Sequence, residues 1–153
     1  MKVIKPPQRI EIAPNTTSVF LAGSIDMGKA IDWQATVAEA LQDLPFTLLN
    51  PRRDDWDASW EQKITNPQFK AQVDWELDGL ETADLIAMYF APTSKAPITL
   101  LEMGLFAHTQ KLVVCCPNGF WRKGNVDVVA QRYHISQVDD LSQLIEFIKT
   151  NQI

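Results

Sequence analysis

Apolar positions along this chain switch repeatedly between two patterns. Short continuous runs suit buried strands, and three-to-four-residue spacings suit helices packed on one side. Ser18–Ala22 (SVFLA) is a buried strand that leaves the sheet at Gly23-Ser24. Lys29 to Leu44 follows as a helix, with Ile31, Ala35, Val37, Ala38 and Leu41 roughly at helical spacing. Pro45 closes it, and Phe46–Leu49 is a second strand stopped by Asn50-Pro51. Helix resumes from Gln68 to Thr82, and Asp84–Phe90 (DLIAMYF) is so continuously apolar that it reads as a central parallel strand. Pro97–Gln110 is a helix, Leu112–Cys116 a strand, Val126–Arg132 a short helix, His134–Val138 a weaker strand and Asp140–Asn151 a last helix. Residues 1–16 hold Pro6, Pro7 and Pro14 and read as an extended arm, with a short edge strand at Arg9–Ile12. Residues 17–153 form one domain.

Strands alternating with helices of this length specify an α/β domain on a mostly parallel sheet. In such sheets ligands bind beyond the strand C-termini. Chemistry is therefore expected in the loops that start at Gly23, Asn50, Ala91 and Pro117. The connection Pro51–Pro67 is long for a compact domain and carries Trp56 and Trp60, which marks it as functional or mobile.

Composition narrows the function. A net charge of −5 and scattered Lys and Arg disfavour a polynucleotide partner. The apolar runs are too short to span a bilayer, and the first residues lack the apolar core of a signal peptide. The only cysteines, Cys115 and Cys116, are adjacent and read as buried thiols on opposite faces of one strand. No disulfide framework follows, and a cytoplasmic location is expected.

Several chemistries lack their motifs. AGSIDMGK has neither dinucleotide-binding nor phosphate-loop spacing, no G-x-S-x-G is present, and neither His108 nor His134 has metal-ligand spacing. No metal and no cofactor are expected. Glu102, in PITLLEMGLFAH, opens the helix after the most apolar strand, with Ile98, Leu105 and Phe106 at i−4, i+3 and i+4. A carboxylate on an apolar face is costly to bury without a task or a partner. Gly104 would let a backbone or ligand come close. The plainer reading makes Glu102 a rim glutamate complementing the helix dipole. Asp74, Glu76 and Asp78 form a second acidic cluster, readable as a paired-carboxylate site or as a solvated face. Asn50 to Trp56 offers forked donors and an aromatic platform for a flat heterocycle, or a surface loop closed by Arg–Asp pairs. The loop from Phe120 to Asp127 is comparable, and Trp121 equally suits an oligomer interface.

The stretches FLAGSI, NPRR, WELDGLETADLIAMYF, PITLLEMG and VVCCPNGFWRKGN, in that order between Val19 and Tyr133, resemble the nucleoside 2-deoxyribosyltransferase family and its relatives, the nucleoside-monophosphate N-glycosidases. The resemblance implies a flavodoxin-like parallel sheet of five strands in the order 2-1-3-4-5, assembled as homodimers or larger homo-oligomers with shared active sites. It places the nucleophile at Glu102 and the acid that binds and protonates the leaving base at Glu76, where relatives often carry aspartate. Phe20 stands where the family often has a tyrosine. Thr93, Ser94, Lys95 and Ala96 fill a stretch where some members hold a further acid. Asn125 matches a residue that reaches the sugar 5′-hydroxyl in a neighbouring subunit. The substrate-binding set is then Phe20, Ser24, Arg53, Asp55, Asp78 and Asn125.

The activity so implied is base exchange on 2′-deoxynucleosides through a covalent deoxyribosyl-glutamate intermediate, with free nucleobases as second substrates. Pro97-Ile98-Thr99 replaces the serines of phosphate-handling relatives, which favours free nucleosides. The alternatives are an N-glycosidase that gives the intermediate to water, and a non-catalytic nucleotide-binding module on the same fold.

Overall fold

The computed structural model describes residues 1–25 and 31–152. Its elements run β1 (Lys2–Ile4), β2 (Thr17–Gly23), α1 (Trp33–Leu41), β3 (Phe46–Leu49), α2 (Pro67–Thr82), β4 (Leu85–Tyr89), α3 (Pro97–Phe106), β5 (Leu112–Cys115), α4 (Lys123–Tyr133), β6 (Ser136–Val138) and α5 (Leu141–Thr150). The described strands form one sheet, ordered β1-β3-β2-β4-β5-β6, in which every neighbouring pair is parallel. Counted from Thr17 onward, this is the expected 2-1-3-4-5 core of an α/β, flavodoxin-like fold.

The sixth strand is a correction to the sequence reading. The arm pairs through Lys2–Ile4, which lies beside Thr47, Leu48 and Leu49 of β3, and not through Arg9–Ile12. Pro6 and Pro7 end that pairing because proline has no N–H to donate. Ile10 and Ile12 instead pack as side chains on the core, and the Trp75 indole donates to the Gln8 carbonyl at 2.8 Å.

Strand alternation sends successive side chains to opposite faces, which builds two cores. Phe20, Ala22, Ile86, Met88, Val114 and Cys116 face the side covered by α2, α3 and α4. Val19, Leu21, Leu85, Ala87, Val113 and Cys115 face α1 and α5. The adjacent cysteines thus lie on opposite faces, as expected, and both are buried. Burial pushes their thiols up, to about 12 at Cys115 and about 11 at Cys116, so neither is a nucleophile at neutral pH.

Local signals set the helix starts. Asp32, Asn66 and Asp140 each accept a backbone N–H from the first turn of α1, α2 and α5. This cap shortens α1 relative to the expected 29–44 span, of which residues 29 and 30 lie outside the described residues. The buried face of α1 is Trp33, Val37 and Leu41 at i, i+4 and i+8, whereas Ile31 is 84% exposed and Ala35 faces solvent. Of the expected stripe, Val37, Ala38 and Leu41 do pack inward, while Ile31 and Ala35 do not and Trp33 takes the first place on that face.

Candidate active site

The C-terminal ends of β2, β3, β4 and β5 gather the loops that carry the candidate residues. At the end of β2 the backbones come close. A side chain at Gly23 would meet the Tyr89 carbonyl oxygen at 2.4 Å and the Trp33 ring at 2.8 Å, so only glycine fits. Ser24 then ties β2 to β4: its N–H donates to the Tyr89 carbonyl at 3.1 Å, and its Oγ accepts from the Ala91 N–H at 3.1 Å. The Trp33 indole donates to the Ser24 carbonyl at 3.3 Å. Ser24 is buried and fixed.

Pro97 begins α3 after Ala96, which adopts a left-handed conformation (φ 44°) and gives no side-chain cap. The helix buries Thr99, Glu102 and Met103. Glu102 is only 8% exposed. Its burial does not arise as the sequence suggested. Ile98, Leu101 and Leu105 form an outward stripe, 58%, 59% and 49% exposed, and Glu102 sits on the border between that stripe and the inner face. Nothing among the described residues lies within 4 Å of where a Gly104 side chain would begin, so no close approach by them explains that glycine.

Burial pushes the Glu102 carboxyl up to about 8, and the negative charge of Glu76 adds to the rise. Glu76 stands mid-way along α2, partly buried, one turn after Gln72. Burial raises its pKa as well, opposed by a hydrogen bond from Gln72 Nε2 to Glu76 Oε1 at 2.8 Å. Gln72 Nε2 also donates to the Pro51 carbonyl at 3.1 Å, which ties α2 to the end of β3. The other two acids of the cluster differ. Asp74 faces solvent and pairs with Lys70, and Asp78 is exposed, lining a groove of about 420 Å³ with Arg9, Ile10, Trp75 and Glu81.

Phe20 is fully enclosed. Its ring lies 6.2 Å from that of Trp75, and a side chain at Gly79 would meet it at 2.7 Å. It therefore sets how closely α2, and with it Glu76, approaches the sheet. In the loop after β3, Arg53 Nε donates to Asp55 Oδ1 at 2.6 Å and its guanidinium covers the Trp60 ring at 4.9 Å. Asp55 is exposed and lines a groove beside the arm with Lys5 and Asp54. Arg52 pairs with Asp32 at 3.6 Å, joining this loop to the start of α1. Asn125, in the first turn of α4, is exposed. Glu76 and Glu102 are thus brought together, whereas Arg53, Asp55, Asp78 and Asn125 face outward or pair with one another. Among the described residues, no group of three or more His, Cys, Asp or Glu could hold a metal ion.

Among the described residues, both ends of the Gln34 carboxamide, Gln72 Oε1 and Trp56 Nε1 are buried polar atoms without a hydrogen-bond partner. The sequence reading did not single out Gln34 or Gln72. The four-residue spacing of Gln72 and Glu76 on one helix was the available signal.

Burial raises both carboxyl groups, and the charge of Glu76 adds to the rise at Glu102, so the pair favours holding a proton. That is the arrangement for a nucleophile and a proton donor in glycosidic chemistry. The family model described as nucleoside 2-deoxyribosyltransferase-like matches residues 16–120, a span that contains both acids and every element from β2 to β5. The chain belongs to that family. No curated protein matches the sequence. Among solved structures, a conserved protein from Enterococcus faecalis V583 superposes with a TM-score of 0.61 at 17% identity, covering 88% of this chain and 98% of that one. A CMP N-glycosidase from Clostridium botulinum superposes with a TM-score of 0.56 at 12% identity, covering 88% and 99%. At these identities the two structures show a shared fold. Family membership adds an enzyme class acting on N-glycosidic bonds, with nucleoside or nucleotide substrates.

Proposed function

We propose that this protein is a nucleoside 2-deoxyribosyltransferase that exchanges the base of a 2′-deoxynucleoside through an ester on Glu102, with retention. The observation that carries this reading is the coupling of the buried Glu102 with Glu76 at the C-terminal edge of the sheet. Breaking the glycosidic bond leaves an oxocarbenium-like sugar, and the Glu102 carboxylate traps it at the anomeric carbon. The electron pair of the broken bond leaves with the base, and the proton it takes comes from Glu76. The growing positive charge of the sugar favours the ionised Glu102 carboxylate, while burial helps Glu76 keep the proton it gives to the base. A second base then attacks the anomeric carbon from the face the first base left, its N–H proton passing to the Glu76 carboxylate as the bond to Glu102 breaks and frees that carboxylate.

The positions of Ser24 and Phe20 support roles in shaping the pocket floor. Arg53, Asp55, Asp78 and Asn125 fit contacts made when a loop closes or a second subunit adds its wall. The partner we assign is a second copy of this chain in a homo-oligomer with shared sites. Soluble nucleoside salvage in the cytoplasm is the matching context, and among the described residues no helix is long and apolar enough to cross a membrane.

The test is the intact mass of the protein after mixing with a 2′-deoxynucleoside. A deoxyribosyl adduct on the Glu102 peptide, absent in Glu102→Ala, supports the reading. Turnover surviving in Glu102→Ala overturns it. Transfer and hydrolysis share the ester, and release of free deoxyribose as the main product regardless of added base would reassign the protein as an N-glycosidase.

A further inference from the structure

Gln72 is 5% exposed and stands one helical turn before Glu76 on α2. Its carboxamide nitrogen donates to Glu76 Oε1 at 2.8 Å and to the Pro51 carbonyl at 3.1 Å. The reverse orientation is excluded by chemistry, because it would set the amide oxygen against a backbone carbonyl that can only accept. The Pro51 carbonyl is itself well anchored. Asn50, just before it, donates its N–H to the Ile4 carbonyl at 2.9 Å, and its Oδ1 accepts from the Arg52 N–H at 2.9 Å. Glu76 Oε1 is thus held to the C-terminal end of β3 and not only to its own helix. Asp74, by contrast, pairs with Lys70 at the surface of the same helix. On a helix surface a Gln–Glu pair four residues apart adds only a little stability. Here the bond is buried and reaches across to the sheet.

We propose that Gln72 is a positioning residue: by occupying Glu76 Oε1 it fixes the carboxyl group and leaves Oε2 as the oxygen that hands the proton to the departing base. This rests on the proposed function and adds a residue to its machinery. In a neutral carboxyl group the carbonyl oxygen is the better acceptor, so an N–H on Oε1 directs the hydroxyl to Oε2. As that O–H bond breaks, its electron pair stays on Glu76. The proton joins the base, which departs with the electron pair of the glycosidic bond. Gln72 then donates to a carboxylate in place of a neutral acid, and hydrogen bonds to ionised acceptors are about twice as strong. An interaction that strengthens towards the transition state lowers the barrier, whereas one of constant strength does not. The same hydrogen bond opposes the rise that burial causes at Glu76, which keeps the group acidic enough to release its proton.

The experiment is a double-mutant cycle of Gln72→Met, Glu76→Gln and the double variant. It follows base exchange on 2′-deoxyadenosine or 2′-deoxycytidine, whichever the wild type turns over faster. Gln72→Met should lower kcat by on the order of 10- to 100-fold, less than loss of the acid itself, with KM changed little. Its pH profile should move to higher pH, because Glu76 has lost a donor that favoured its ionised form. In the Glu76→Gln background the same substitution should change kcat by less than about threefold, since it acts through the residue already removed. Melting temperatures confirm the fold; Gln72→Asn, one methylene too short to reach Glu76, replaces Gln72→Met if that variant does not fold. A variant with wild-type kcat and pH profile overturns the proposal. So does an equal slowing in both backgrounds, which is what a loosened α2 would give. If the wild type cleaves neither nucleoside, the proposed function itself fails; turnover that depends on Glu102 but not on Gln72 sinks only this inference.

Discussion

The charge of Glu76 on α2 raises the pKa of Glu102 on α3, although 26 positions separate the two in the chain and each helix follows a different strand. Both carboxyls are also raised by burial. In the proposed reaction one of the two must be ionised as nucleophile and the other protonated as donor.

The first prediction concerns activity against pH. Below the lower pKa of the pair both groups are protonated and the nucleophile is lost. Above about 8, the value to which Glu102 is raised, both are ionised and the donor is lost. A bell-shaped profile of kcat/KM is expected, read from steady-state rates between pH 4 and 10. Glu76→Gln should lower kcat by about 10²–10⁴-fold. It should also abolish the alkaline limb, leaving one acid limb set by Glu102 alone, below about 8 because the neighbouring charge is gone. An alkaline limb that persists would separate the two groups functionally.

The second prediction concerns stability. A carboxyl whose folded pKa exceeds its unfolded value holds its proton more tightly when folded. Stability is then full below the unfolded value of 4.5 and is lost as pH rises towards about 8. The loss reaches at most about 1.4 kcal/mol per pH unit for one group. Glu102→Gln removes the titration while keeping the shape. Its melting temperature should match the wild type near pH 5 and exceed it near pH 8.5. Equal differences at both pH values would show that Glu102 is hydrated and not buried in solution.

Gly79 gives a third. A methyl group there meets the Phe20 ring at 2.7 Å, and that ring is held against Trp75 with no room to yield. Overpacking costs about 1–3 kcal/mol, offset by about 1 kcal/mol of helix propensity gained over glycine. Gly79→Ala should melt several degrees lower, and it should also lose activity because α2 carries Glu76. Phe20→Leu in the same background should recover part of the melting temperature.

What the chain discloses follows from the range over which each signal acts. The succession of core strands and helices is a local matter of run length, spacing and breakers, and it was readable, whereas the strand order was legible only through the family resemblance. The pairing of Lys2–Ile4 was not, because three residues carry no period, and their partner β3 lies more than 40 positions away. Glu102 was found by its apolar neighbours, yet Ile98 and Leu105 point outward and its burial comes from the helix's other side. Gln72 was passed over since its meaning depends on the Pro51 carbonyl, a backbone atom that no side-chain pattern reports.

The outward stripe of α3 yields the last prediction. Ile98, Leu101 and Leu105 lie at i, i+3 and i+7 and are each about half exposed, on the helix that carries Glu102. Three large apolar side chains in a row on a short helix form a contiguous patch of the kind that marks an interface. A second copy meeting it would finish the burial of Glu102, which stands at the border of the stripe, so assembly and activity should rise and fall together. Light scattering should give at least twice the 17.3 kDa chain mass for the wild type. Leu101→Glu sets a charge in the middle of the stripe and should yield a folded monomer with kcat/KM reduced at least tenfold. Leu101 is exposed in the single chain, so its replacement costs the monomer little stability. A wild-type chain that runs as a monomer at full activity would place the whole reaction within one subunit and leave the stripe without a part in it.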